Sequence, residues 1–89
     1  MGKSIGLSKF EKKFMKFERI VQDKNIMMGK PVIKGTRITV EFIIEQLSNG
    51  ASVEWILESY PHLKKEDVLE ALRYAYALIS NEEILEATV

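Results

Sequence analysis

Between Thr39 and Ser80 apolar residues recur at helical spacing in three successive runs, and the breaks between the runs are firm stops. Val40, Ile43, Ile44 and Leu47 fall at i, i+3, i+4 and i+7, the stripe of an amphipathic helix. Thr39 is placed to cap it, Glu41 lies near its positive end, and Gly50 stops it. Ser52 is placed to cap a second run, Val53, Ile56, Leu57 and Tyr60, which Pro61 ends because its ring forbids further helical hydrogen bonding. A third helix is expected from about Lys65 to Ser80, with Val68, Ala71, Leu72, Ala75 and Ile79 on its core face. It also carries Leu69, Tyr76 and Leu78 around its side, more apolar girth than a surface helix needs. Three short helices with such brief links form the tri-helical unit on which helix-turn-helix modules are built.

Upstream the pattern changes. Leu7, Phe10, Phe14 and Phe17 alternate spacings of three and four with lysines on the remaining faces, which predicts a basic amphipathic helix over residues 7–17. Such a helix packs on a core or a second subunit, or lies on DNA or a membrane surface. From Glu18 to Arg37 the helical period disappears, and the β-branched runs Ile20-Val21 and Val32-Ile33, separated by Asp23-Lys24-Asn25 and Gly29-Lys30-Pro31, read as two short strands. Two strands alone are marginal in water, so they must lie on the helices or pair with another chain. The expected architecture is mainly α: a tri-helical, homeodomain-like or winged helix-turn-helix bundle with a short N-terminal β-hairpin and an extra N-terminal helix. It divides into a basic helical extension (1–16), one domain (17–80) and an acidic C-terminal tail (81–89).

With 46% hydrophobic and 29% charged residues the chain has the composition of a globular protein, and its 89 residues suffice for one modest core. Cores of this size usually need a supplement. The absence of cysteine excludes disulfides and thiolate zinc sites, and the single histidine disfavours a structural metal, which leaves a partner subunit. No apolar run approaches the ~20 residues of a membrane span and no signal-peptide pattern follows Met1, so a cytoplasmic location is expected.

The net charge of zero conceals an asymmetry. Residues 1–37 hold ten bases against three acids, whereas residues 38–89 hold ten acids against only Lys64, Lys65 and Arg73. Such a division suits a nucleic acid or acidic partner at one end and a basic partner at the other, or pairing of the halves across a subunit interface.

The run Gly29-Lys30-Pro31-Val32-Ile33-Lys34-Gly35-Thr36-Arg37-Ile38-Thr39-Val40, followed by Gly50, Tyr60-Pro61-His62-Leu63, Glu66-Asp67-Val68 and Ala71-Leu72-Arg73-Tyr74-Ala75, resembles the prokaryotic domain of unknown function 433. Members of that family are described as VapB-type, antitoxin-like proteins, and the resemblance runs from about Phe17 to Ala77. It implies a homeodomain-like or winged helical fold and, as partner, a toxin with a PIN-type nuclease fold. Three positions depart from the family pattern. Lys24 replaces a proline, Met28 replaces the first of two glycines, and Lys64 stands where Ser or Thr would cap the third helix. A methionine at 28 fits only if that position does not need positive φ, and losing the cap costs about 0.5–2 kcal/mol.

The loop glycines with Lys30, Lys34 and Arg37 lack Walker spacing and read as a tight hairpin, with Gly29 and Gly35 at its turns and Arg37 paired with an acid such as Glu41. Lys30, Lys34, Arg37, Lys64 and Lys65 are the candidate contacts to DNA phosphates. His62 lies in a turn without a nucleophile or second ligand nearby, and Glu66, Asp67 and Glu70 read as a solvated face. No nucleophile, base and orienting group occur together, so a non-enzymatic protein is expected, without metal, cofactor or small-molecule substrate. The expected function is that of an antitoxin which binds operator DNA as a homodimer and neutralises a PIN-like nuclease; a protein-interaction module or an RNA-binding dimer is the alternative. Phe10, Phe14, Phe42, Trp55, Leu69 and Tyr76 are the expected dimer contacts. Glu82, Glu83, Ile84, Leu85 and Glu86 are the expected contacts to the nuclease.

Overall fold

The hydroxyls of Thr39 and Ser52 each accept the backbone N–H three residues onward, from Phe42 at 2.9 Å and from Trp55 at 3.0 Å. These caps satisfy amides that a helix start would otherwise leave without partners, and they set the first turns of α1 (Val40–Ser48) and α2 (Val53–Ser59). Gly50 follows α1 with φ +99°, and α2 stops before Pro61. A longer α3 (Lys65–Ile79) completes the bundle. The computed structural model describes the backbone of residues 14–80 and 83–85 and the side chains of residues 16–80.

Among the described residues four short strands accompany the helices: β1 (Phe14–Lys16), β2 (Ile20–Val21), β3 (Val32–Ile33) and β4 (Glu83–Leu85). β2 and β3 pair antiparallel, Ile20 with Ile33 and Val21 with Val32. All four side chains are buried, so this hairpin lies against the helices, and Val32 also bridges to Thr39 at the head of α1. Val32, Ile43, Ile56, Val68 and Phe17 are the largest fully buried side chains. A mainly helical fold of three helices with a short antiparallel hairpin is therefore established, as the sequence predicts.

The predicted N-terminal helix over residues 7–17 is not observed where the structure describes it; residues 1–13, including Leu7 and Phe10, lie outside the described residues. Residues 14–16 form β1, which pairs parallel with β4, Phe14 opposite Glu83 and Lys16 opposite Leu85. The segment 81–89 is accordingly not simply a tail, because residues 83–85 are a paired strand. Phe17 follows β1 with 1% of its surface exposed, edge-on to Tyr74 with ring centroids 5.1 Å apart. Its burial comes from this distant contact and not from membership of a helical stripe.

The core face of α3 also differs from the expected one. Val68 and Ala71 are buried as predicted, but Leu72 and Ile79 are exposed, and Asp67, Tyr74 and Ala77 are buried in their place. Two attachments turn the helix this way: Phe17 packs on Tyr74, and Arg19 is held by Asp67 and Glu70. Periodicity finds the most apolar face of a helix, whereas the contacts of the hairpin select the face that is buried.

Candidate binding surface

Lys64 precedes α3 without a side chain able to cap it, and the missing function is supplied from within the helix. The carboxylate of Asp67 accepts the Lys64 backbone N–H at 2.9 Å and the Arg19 guanidinium at 3.1 Å. Glu70 accepts the Arg19 backbone N–H at 2.8 Å. The predicted solvated acidic face is thus corrected at two of its three positions, because Asp67 and Glu70 fasten the hairpin to α3 and, of the three, only Glu66 is exposed. An acid at the third helical position is the sequence signal that could have revealed this.

The loop before α1 is held as tightly. Thr36 donates its hydroxyl to the Ile33 carbonyl at 2.8 Å and accepts the Ile38 N–H at 2.9 Å. Gly35, with φ +82°, supplies the turn and leaves Lys34 and Arg37 exposed on either side. The ion pair to Glu41 is made by Lys30, at 2.9 Å, and not by Arg37 as expected from sequence. The preceding turn is unusual. Met27 and Met28 adopt φ +49° and +58° before Gly29 at +85°, so the position of Met28 does require the left-handed region that a methionine was expected to avoid.

The five expected phosphate contacts do not form one stripe. Lys34 and Lys64 line a cavity of about 260 Å³ together with Arg19, Glu18, Asp67 and His62. His62 is an addition that its place in a turn did not signal. Lys30 and Arg37 instead line a separate cavity of about 380 Å³ that also includes Met27, Phe42, Glu41 and Tyr60. Lys65 opens α3 on the exposed side.

The expected dimer contacts divide as well. Phe42 packs edge-on against Tyr60, ring centroids 5.5 Å apart, and is partly covered by its own chain. Trp55, Leu69 and Tyr76 are exposed, Tyr76 by 62%. Leu69 and Tyr76 join Leu72 and Ile79 in an open apolar row along α3, spaced three, four and three residues apart. Of the expected nuclease contacts, Glu83, Ile84 and Leu85 lie in β4, whereas Glu82 and Glu86 lie outside the described residues, as does Phe10. Phe14 lies in β1. A further groove of about 490 Å³ between α1 and α3 is lined largely by apolar side chains, among them Ile44, Tyr74 and Leu78, and by Glu41 and Glu45.

The model of the family described as Protein of unknown function (DUF433) matches residues 20–75, a span that holds the hairpin, all of α1 and α2 and most of α3. The chain belongs to this family. A DUF433 member protein from Anabaena variabilis, known from a crystal structure, superimposes with a TM-score of 0.67 at 27% identity, over 71% of this chain and 62% of that one. The Uncharacterized protein y4eO of Sinorhizobium fredii is 37% identical over 60 residues, 67% of this chain but only 27% of its own length. An uncharacterized protein of Archaeoglobus fulgidus is 67% identical over 24 residues, which are 27% of this chain and 67% of that protein. This DUF433 chain therefore spans about a quarter of the length of y4eO. Among the described residues no helix is long and apolar enough to cross a membrane.

Proposed function

We propose that this DUF433 protein is a non-catalytic binding module of antitoxin type, which contacts DNA phosphates at the head of α3 and another protein along the outer face of that helix. The observation that carries the reading is the division of α3 itself. At its head Lys64 lines a cavity with Lys34 and Arg19, three bases against the acids Glu18 and Asp67, and Lys65 is exposed beside it, while its outer face runs apolar through Leu69, Leu72, Tyr76 and Ile79. A cationic cluster at a helix start suits phosphate oxygens, since the helix dipole adds to the side-chain charge. An open apolar row on so small a domain suits a protein contact.

In this reading α2 and α3 act as a helix-turn-helix pair within a homeodomain-like or winged unit. The PIN-like nuclease implied by the family resemblance, or a second copy of the chain, occupies the apolar face. Glu66 and Glu70 argue against deep insertion of α3 into a major groove, so the phosphate contacts come from the helix head and the hairpin loop.

The test is a gel-shift titration of the DNA upstream of the gene at several salt concentrations, with and without Lys34→Ala and Lys64→Ala. Each replacement should weaken binding on every sequence and reduce the log–log salt slope by about one. Absence of a shift for the unaltered protein would leave the second reading, a protein-interaction module without nucleic-acid binding, which Glu66 and Glu70 on the same helix favour.

A further inference from the structure

The row Leu69, Leu72, Tyr76, Ile79 has the spacing by which one helix meets another along a shared seam, alternating three and four residues. All four side chains are open to solvent, Ile79 by 81%, while the opposite face of α3 is buried in the domain. On one flank of the row stand Glu66 and Arg73, one heptad apart and opposite in sign. Both are exposed, and among the described residues neither has an ion-pair partner; the Arg73 guanidinium lies only over the Phe17 ring, 5.7 Å from its centroid.

These features are self-complementary under a two-fold axis. When two copies of α3 run antiparallel, the same flank of each helix faces its counterpart, so an acid and a base one heptad apart can exchange partners. With the axis between Glu70 and Ala71, Leu69 meets Leu72 of the second copy, and Glu66 lies within reach of Arg73 of the second copy, each contact made twice. Shifting the axis to Tyr74 would pair Leu72 with Tyr76 and Leu69 with Ile79 but would set Arg73 against Arg73. The first register pairs the charges, sets Tyr76 along the Lys65 stem of the second copy and leaves Ile79 outside the seam, and it is the register the charges favour.

We infer that the occupant of the outer face of α3 is a second copy of this chain, joined in an antiparallel pair centred between Glu70 and Ala71. The inference rests on the proposal that this face is the protein-binding surface, and it names the partner and the register. The seam is short, since 15 helical residues at about 1.5 Å each span roughly 22 Å. The dimer should accordingly dissociate on dilution.

The chain has no cysteine, so single cysteines can map the seam in the otherwise unaltered chain. We expect a short bis-maleimide to link Leu69→Cys and Leu72→Cys proteins into dimers, because each position lies only about 4–5 Å along the axis from its own copy in this register. Ile79→Cys, about 25 Å from its copy, should stay monomeric under the same treatment. A parallel pair would link all three, and an axis at Tyr74 would link Tyr76→Cys but neither Leu69→Cys nor Ile79→Cys; either pattern overturns the register. In sedimentation equilibrium Glu66→Arg should weaken self-association roughly fivefold, and the double variant Glu66→Arg with Arg73→Glu should restore it. A wild-type chain that sediments as a monomer at every concentration reached, with no linking at Leu69, overturns the dimer. The DNA titration and capture of a nuclease-like protein are read separately, so their failure would count against the antitoxin reading and leave the pairing standing.

Discussion

The Arg19 guanidinium lies 3.1 Å from the carboxylate of Asp67, a residue 48 positions away that is itself almost wholly buried. This contact joins the hairpin to the helix that carries both proposed binding surfaces. Because Asp67 also accepts the Lys64 backbone N–H, a single carboxylate fixes the hairpin and the start of α3 together.

Removing that carboxylate should therefore act at two places. Asp67→Ala is expected to cost about 2–3 kcal/mol, since it leaves a helix-start amide without its acceptor and Arg19 without its partner. The Arg19 side chain is 40% exposed and can regain water, which keeps the loss below that of a fully buried pair. Urea denaturation measures it. A double cycle with Arg19→Ala should return a coupling well short of the total, because the Lys64 contact survives loss of Arg19.

Met28 offers a gain. Its side chain is 88% exposed and contributes little packing, yet its backbone sits at φ +58°. Left-handed backbone costs an L-residue about 1–2 kcal/mol, and glycine returns roughly half of the relief through greater freedom of the unfolded chain. Met28→Gly should raise stability by about 0.5–1 kcal/mol, whereas Met28→Ala should leave it nearly unchanged. Thermal melts of the two variants side by side decide this.

Phe17→Ala should be among the most damaging single changes, at about 3–5 kcal/mol, because it empties a fully buried aromatic site and removes the edge contact to Tyr74. Phe42→Ala, at a partly covered position against Tyr60, should cost clearly less. Chemical denaturation of both variants ranks them.

Deleting residues 81–89 should remove the strand partner of β1. We expect the backbone amides of Phe14–Lys16 to lose protection in hydrogen exchange while those of α1 remain protected. Unchanged protection in β1 would show that the β1–β4 pair contributes nothing to its order.

What the sequence reveals follows the range of the interaction involved. Thr39, Ser52, Gly50 and Pro61 act on their immediate neighbours, so α1 and α2 are legible with their ends, and the β-branched pairs give β2 and β3. The extent of α3 is legible too. Its buried face is not, because Leu72 and Ile79 satisfy the helical period as well as Tyr74 and Ala77 do, and the choice is made by Phe17 and Arg19 from the other end of the chain. For the same reason Asp67 and Glu70 look like surface charges until the hairpin is in place. β1 escaped detection because its residues match a helical stripe and its partner strand lies far along the sequence. Of the cationic surface, the individual lysines are legible, but their separation into two cavities depends on where the loop before α1 is held by Thr36.

The parallel pair β1–β4 has a consequence for the order of events during synthesis. The partners Phe14 and Glu83 are separated by roughly 70 residues, and closing so long a loop is slow compared with forming the helical turns between them. β1 is translated early yet cannot make these hydrogen bonds until residues 83–85 have left the ribosome. The hairpin and helices are thus able to assemble before β4 emerges, whereas the joining of β1 to β4 must follow it, and until then the edge that each strand later gives to the other stays available to other nascent chains.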